Sequence, residues 1–122
     1  MDNTVIIFTS DHGETNGVQG LIYKSIFLDQ ALKVPLIIVP PASSNGHENC
    51  HGVIKSLVEL MDVGATINDY ADGKQSHLSQ ARTLRPLMEY KEQNDRDFVV
   101  SEFAEYSMIL TERWKAEFDK HS

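Results

Sequence analysis

The sequence predicts an α/β fold from three observations. Residues 4–9 (TVIIFT) and 34–39 (VPLIIV) are continuous apolar runs, the pattern of strands covered on both faces by helices. A glycine-rich loop and a short helical segment lie between them, the order of an α/β sheet with its crossover. Downstream, Ile54, Leu57, Val58 and Met61 fall at the i, i+3, i+4, i+7 spacing of an amphipathic helix.

Taken in order, residues 4–9 form the first strand, rich in β-branched and aromatic residues. Residues 10–20 carry Gly13, Gly17 and Gly20 among Asp, Asn and Ser, so they form a loop. Within residues 21–32 a short helix or turn is expected around 27–31. The second strand follows at 34–39, with Pro35 near its start, where proline is tolerated. Residues 40–52 are a polar surface loop. The amphipathic helix is placed at 56–70 and is weakened by Gly64. Residues 71–81 read as polar linker and 84–90 as a short helix. NDRD (94–97) is a turn, 98–103 a strand, and 107–111 with a last segment through Trp114 a hairpin. There are no internal repeats.

Composition narrows the function classes. The chain has 122 residues, a formal charge of −7 and no cluster of Lys and Arg, so no nucleic-acid partner is expected. No apolar run is long enough to span a membrane. Cys50 is the single cysteine, so no internal disulfide or cysteine-based metal site is available. The opening MDNTVIIF has no basic n-region and no long apolar core, unlike a signal peptide. It enters a strand almost at once, so the chain is expected to begin inside a larger fold.

The first strand ends in Ser10, Asp11, His12 and Gly13. This could be an ordinary turn after a strand. It could also be a metal site at the carboxyl end of a strand, where ligands bind in open α/β sheets. Adjacent strand residues point to opposite faces. Beyond the strand end the backbone can turn both side chains toward one ion, and Gly13, lacking Cβ, permits that turn.

Five blocks carry a family resemblance. DNTVIIFTSDHGE followed by Lys24 and ALKVPLIIVPP resembles the C-terminal half of sulfatases of the alkaline phosphatase superfamily, whose strand ends in Ser-Asp-His-Gly or Ser-Asp-Asn-Gly. SLVELMDVGATI (56–67) is similar to that family's Leu-Val-Asp-Leu-x-Pro-Thr helix, with Asp62 and Thr66 at the matching places and Ala65 at the proline. ARTLRPLM (81–88) resembles its Gly-x-Ser-Leu-x-Pro-Leu-Leu block. VVSEFAEYSMILTERWK (99–115) resembles its late Glu strand and the Arg-Thr-x-x-x-Lys-Tyr strand. The resemblance implies part of an alkaline-phosphatase-like α/β/α sandwich, its C-terminal half with a few C-terminal strands, over residues 1–122.

By that resemblance Asp11 and His12 are metal ligands and Lys24 contacts a sulfate oxygen. A carboxylate suits Ca²⁺ or Mg²⁺, whereas an imidazole moves the preference toward Mn²⁺; calcium is most associated with the family's Asn variant. The family's nucleophile is a formylglycine made in a Cys/Ser-x-Pro-x-Arg motif. Here Pro35, Pro40, Pro41 and Pro86 are preceded two positions earlier by Lys33, Ile38, Val39 and Leu84. No copy of the motif is present, and the formylglycine is expected only in an N-terminal half outside this sequence.

The implied function is that of a C-terminal fragment of a metal-dependent sulfuric ester hydrolase. Its partner, through the parent enzyme, would be a sulfate-ester small molecule or saccharide. A phosphatase, phosphonate or phosphodiester hydrolase of the same superfamily is the alternative, and a non-catalytic fold remnant the third reading. A partial sheet leaves apolar surface open, so self-association is expected. Glu14, His47, His51, His77 and His121 are read as loop or terminal residues. Asp62, Thr66 and Glu102 are assigned structural roles, and Cys50 is read as a plain loop cysteine.

Overall fold

The first strand, β1 (Ile6–Thr9), hydrogen-bonds to β2 (Leu36–Val39) as a two-stranded sheet. The computed structural model describes residues 2–44, 48, 50–74, 80–90, 96–119 and 121. His47, His77 and the first two residues of the NDRD turn lie outside these residues.

Both strands begin two residues later than their sequence runs, and neither is covered on both faces. Phe8 and Ile37 are 59% and 58% exposed, and Ile6 and Val39 are also open. The doubly covered strand expected from the apolar runs is therefore corrected: one set of side chains is half-buried and the alternate set is exposed. A two-stranded sheet has too few neighbours to bury both faces.

The chain divides into two units. One takes the residues up to Ile6 together with Ile38–Arg96. Its helices are α2 (Leu60–Tyr70) and α3 (Arg85–Glu89). The helix expected from residue 56 starts at Leu60, because a capping box forms there. The Glu59 carboxylate takes the Asp62 N–H, and Asp62 Oδ2 accepts the Glu59 N–H at 2.8 Å.

The expected apolar stripe is corrected as well. Ile54, Leu57 and Val58 precede α2, and Met61 is exposed. The buried helix face is Asp62, Ala65 and Thr66, and it stays buried because its polar atoms are satisfied. Thr66 Oγ1 donates to the Asp62 carbonyl at 2.6 Å and accepts the Leu84 N–H at 2.9 Å. Asp62 Oδ1 accepts from the Arg82 N–H and from Arg96 Nη2, at 2.8 and 2.9 Å. The structural roles expected for Asp62 and Thr66 match these contacts. Pro86 falls in the first turn of α3, where its missing N–H has no helical acceptor to lose.

The second unit comprises Ile7–Ile37 and the chain from Asp97 onward. It holds a 3₁₀ turn (Val18–Gly20), the short helix α1 (Asp29–Leu32) and an antiparallel sheet of β3 (Val99–Phe103), β4 (Tyr106–Leu110) and β5 (Lys115–Asp119). Phe103 pairs with Tyr106 across the first hairpin, and Leu110 with Lys115 across the second. The hairpin expected to run through Trp114 instead turns there: the Thr111 N–H donates to the Trp114 carbonyl, and β5 begins one residue later. Phe27, Ala31, Val99 and Met108 are buried in this unit. Lys115 Nζ donates to the Phe27 carbonyl at 3.0 Å and to Asp29 Oδ1 at 2.5 Å, fixing the start of α1. Hydrogen bonds from Lys115 and then Lys33 hold the Asp29 carboxyl below the ordinary carboxylate range.

Candidate metal centre

Asp11 and His12 leave β1 two and three residues past its end, and the loop that carries them is fixed by its own backbone. Ser10 Oγ donates to the His12 carbonyl at 2.8 Å, and the His12 N–H donates to Asp11 Oδ1 at 3.0 Å. The Gly13 N–H donates to the Ala31 carbonyl at 2.8 Å, docking the loop on α1. A Cβ at Gly13 would lie 1.9 Å from the Gln30 carbonyl oxygen. Glycine is thus required by close approach of two backbones, and Gly13 does not take the left-handed conformation. This refines the expectation that Gly13 serves to let the chain turn.

The same loop sets the imidazole. A carbonyl oxygen only accepts, so the 2.8 Å contact between His12 Nδ1 and the Gly13 carbonyl puts the proton on Nδ1. In the neutral ring this tautomer leaves Nε2 with its lone pair, the state in which an imidazole binds a metal. Asp11 Oδ2 lies 3.5 Å from that nitrogen. The Lys24 ammonium, twelve residues on, donates to the same Nε2. All three residues singled out in the sequence thus meet around one ring nitrogen.

Burial disfavours the Asp11 anion, but the charge of a protonated His12 ring, the His12 and Asp11 backbone N–H groups and the Lys24 charge together outweigh it. The carboxyl is held below its ordinary range, so at neutral pH it is an anion. Asp11 is largely open to solvent and His12 about one-third exposed. Two donors on adjacent residues fit a divalent cation in type, but they supply only part of a shell of four to eight ligands. Among the described residues, no group of three or more His, Cys, Asp or Glu could hold a metal.

The other residues weighed in the sequence stand apart from this convergence. Glu14 Oε1 accepts the Thr15 N–H at 3.0 Å. Glu102 Oε1 accepts from Ser107 Oγ across β3 and β4 at 3.2 Å. His121 pairs with Glu105, and His51 is an exposed loop residue. Burial first, then Glu89 and Glu48, raises the Cys50 thiol, which disfavours a thiolate. Sequence reasoning missed Thr15, a fully buried residue between His12 and Lys24 whose hydroxyl lies 2.6 Å from the Tyr23 carbonyl. Its one sequence signal is a β-branched hydroxyl residue inside a loop with three glycines.

A family model described as Sulfatase matches residues 1–73. The multifunctional alkaline phosphatase superfamily protein PehA of Trinickia caryophylli is 33% identical over 71% of this chain and 16% of its own length. Arylsulfatase K of Danio rerio is 31% identical over 72% of this chain and 16% of its own length. The chain thus spans about one-sixth of these curated relatives. Among solved structures, the phosphonate monoester hydrolase SpPMH from Silicibacter pomeroyi superposes with a TM-score of 0.72 at 22% identity. That superposition covers 98% of this chain and 29% of the other. It shows the fold, an α/β arrangement shared with alkaline-phosphatase-like enzymes, as the sequence predicts. The model match covers more than half of the residues, and the chain belongs to the sulfatase family.

Proposed function

We propose that this chain is the C-terminal portion of a metal-dependent sulfuric ester hydrolase. In this reading Asp11 and His12 supply part of the divalent-cation site and Lys24 contacts the sulfate. The observation that carries it is the convergence of Asp11 Oδ2, the lone pair of His12 Nε2 and the Lys24 ammonium just past β1. The short span of the chain within its relatives supports the fragment reading. So does the absence of any Cys/Ser-x-Pro-x-Arg motif from its sequence.

A bound divalent cation would act as a Lewis acid and template for an ester oxygen. The chain's own residues do the rest. Gly13 fixes the imidazole with Nε2 outward, and the Asp11 anion opposes the cation's charge. Lys24 offers a compact ammonium that neutralises charge on a sulfate oxygen as the ester bond breaks. An incoming sulfate would draw Lys24 from His12 Nε2, since an anion is a stronger acceptor than a neutral imidazole. Ca²⁺, Mn²⁺ and Mg²⁺ are all compatible with one carboxylate and one imidazole. The substrate class is a sulfate-ester small molecule or saccharide, and the exposed faces of β1 and β2 support self-association of the isolated chain.

A second reading within the superfamily is hydrolysis of phosphate or phosphonate esters, favoured by the likeness to PehA and to the fold of SpPMH. One experiment tests both. The purified chain, given an aryl sulfate and a phosphonate monoester with each metal, should show no turnover, because it carries no formylglycine motif. The longer enzyme should turn over the sulfate in a metal-dependent way, and Asp11→Ala in it should abolish activity. Turnover by the 122-residue chain, or full activity of D11A, would refute the assignment; a preference for the phosphonate would select the second reading.

A further inference from the structure

The geometry points to Thr15 as a positioning residue for Lys24: its buried hydroxyl holds the backbone of Tyr23 in the left-handed region, and that conformation delivers the Lys24 ammonium to His12 Nε2. The catalytic meaning rests on the sulfate-contact reading of Lys24; the positional claim stands on the loop itself.

The loop between His12 and Lys24 has left-handed backbone at Asn16, Gly17, Gln19, Gly20 and Tyr23. Glycine adopts such angles freely and asparagine with little penalty, but for a bulky residue they are an outlier. Gln19 and Tyr23 are therefore the strained members, and Tyr23, with φ of 86°, is the bulkier and the one that adjoins Lys24. Its ring does not impose the conformation, because the residue is 72% exposed. The backbone must be held from elsewhere, and the hydrogen bonds identify Thr15. Its Oγ1 lies 2.6 Å from the Tyr23 carbonyl and 2.9 Å from that of Leu21, and its N–H donates to the Tyr23 carbonyl at 3.3 Å.

Thr15 is 0% exposed, so water cannot replace that hydroxyl without a rearrangement of the loop. Its own position is pinned on both sides. Its N–H donates to Glu14 Oε1 at 3.0 Å, and its carbonyl accepts the Val18 N–H at 2.9 Å. Lys24 follows Tyr23 directly and is exposed along a flexible stem, so its reach is set by where its backbone is anchored. With Tyr23 relaxed to negative φ, the chain leaves Thr15 in another direction and the ammonium no longer meets His12. A change at a residue that touches neither ligand nor metal would then act wholly through Lys24.

The test is the environment of the His12 ring in the ¹⁵N-labelled chain, by long-range ¹H–¹⁵N correlation at pH about 8, where an imidazole is ordinarily neutral. Lys24→Met should move the Nε2 resonance toward that of a ring nitrogen with no donor. Thr15→Val should reproduce that shift, and Thr15→Ser should keep the wild-type position. Thr15→Val with Tyr23→Asn should return toward wild type, because asparagine accepts the left-handed backbone. A folded Thr15→Val with a wild-type ring spectrum would overturn the proposal. If Thr15→Val does not fold, the double variant decides alone: folded with the Lys24→Met spectrum, it overturns the proposal too.

In the longer enzyme, Thr15→Val should lower kcat/KM for an aryl sulfate by roughly 10- to 100-fold, the scale of a misplaced catalytic group. It should cause no further loss in a Lys24→Met background. Equal losses in both backgrounds would overturn the positioning role. A longer enzyme without sulfatase turnover would instead end the functional reading, leaving the ring spectra to judge Thr15.

Discussion

Asp11 and Asp62 are the same side chain put to opposite uses. Asp62 is 1% exposed. Its Oδ2 accepts the Glu59 N–H, and its Oδ1 accepts both the Arg82 N–H and Arg96 Nη2. Donors from three separate stretches of chain meet there, so the carboxylate is consumed in joining them. Asp11 is open, takes a backbone donor on Oδ1 alone, and leaves Oδ2 beside His12 Nε2. A saturated buried acid reads as framework, whereas an exposed acid with one oxygen left open is available to a ligand.

The neighbouring cluster in the unit of Asp62 follows the same rule. Glu89 is fully buried, with Tyr70 Oη donating to Oε1 at 2.7 Å and Arg85 to Oε2 at 3.3 Å. Arg85 also reaches Asp69 at 3.1 Å and lies 4.5 Å over the Tyr70 ring, where the cation meets the negative face of the aromatic system. Tyr70 and Arg85 are side chains of the same unit, and Glu89 is 0% exposed.

The largest effect expected from this comparison is at Asp62. Asp62→Ala removes the acceptors of two backbone N–H groups and one of the Arg96 ion pairs. Breaking a buried pair in this way costs about 3–5 kcal/mol, a large share of the roughly 5–15 kcal/mol that a folded domain commands. Urea unfolding followed by circular dichroism checks it. A loss below about 1 kcal/mol, the scale of an exposed ion pair, would show that Asp62 is not the framework acid its contacts describe.

Sequence reasoning reached these two acids unequally, for a physical reason. Asp11, His12, Gly13 and Lys24 lie within fourteen residues, so their meeting is a local matter of a strand end and a loop. Asp62 and Thr66 were readable as structural from their helix block. The Asp62 partners Arg82, through its backbone N–H, and Arg96 are 20 and 34 residues away, and nothing in a turn announces a buried arginine side chain at 96. The helix stripe failed for a related reason. Apolar spacing assumes that the buried face is oily, whereas here it is polar and saturated. The strands at 4–9, 34–39, 98–103 and 107–111 were read close to their places, whereas β5 lies beyond the segment expected to end at Trp114, and the burial of β1 and β2 depends on neighbours that local sequence does not encode.

A smaller effect is expected at Tyr70. Burial, followed by the hydrogen bond and charge of Glu89, pushes its phenol well above the ordinary range. The folded state therefore favours the neutral phenol. Its contribution is fully present below the unfolded pKa of about 10 and is lost as pH rises beyond it. Tyr70→Phe should cost about 1–2 kcal/mol near neutral pH, by removing one donor from a buried carboxylate. It should also flatten the decline in stability above about pH 10. Unfolding midpoints across an alkaline pH series measure both, and an unchanged alkaline slope in the variant would remove Tyr70 from the framework.

The smallest effect on stability, and the sharpest on the comparison, is expected at Asp11. Asp11→Ala removes an exposed side chain whose main fixed contact is the N–H of the next residue, and water can replace that contact. Its urea midpoint should coincide with wild type, unlike that of Asp62→Ala. The same substitution should weaken Mn²⁺ binding by the chain, read from paramagnetic broadening of the His12 ring signals. Both halves are needed, because an acid that serves the fold and one that serves a ligand differ in which measurement their loss disturbs. A lowered midpoint with unchanged broadening would make Asp11 a second Asp62, and β1 would end in an ordinary turn.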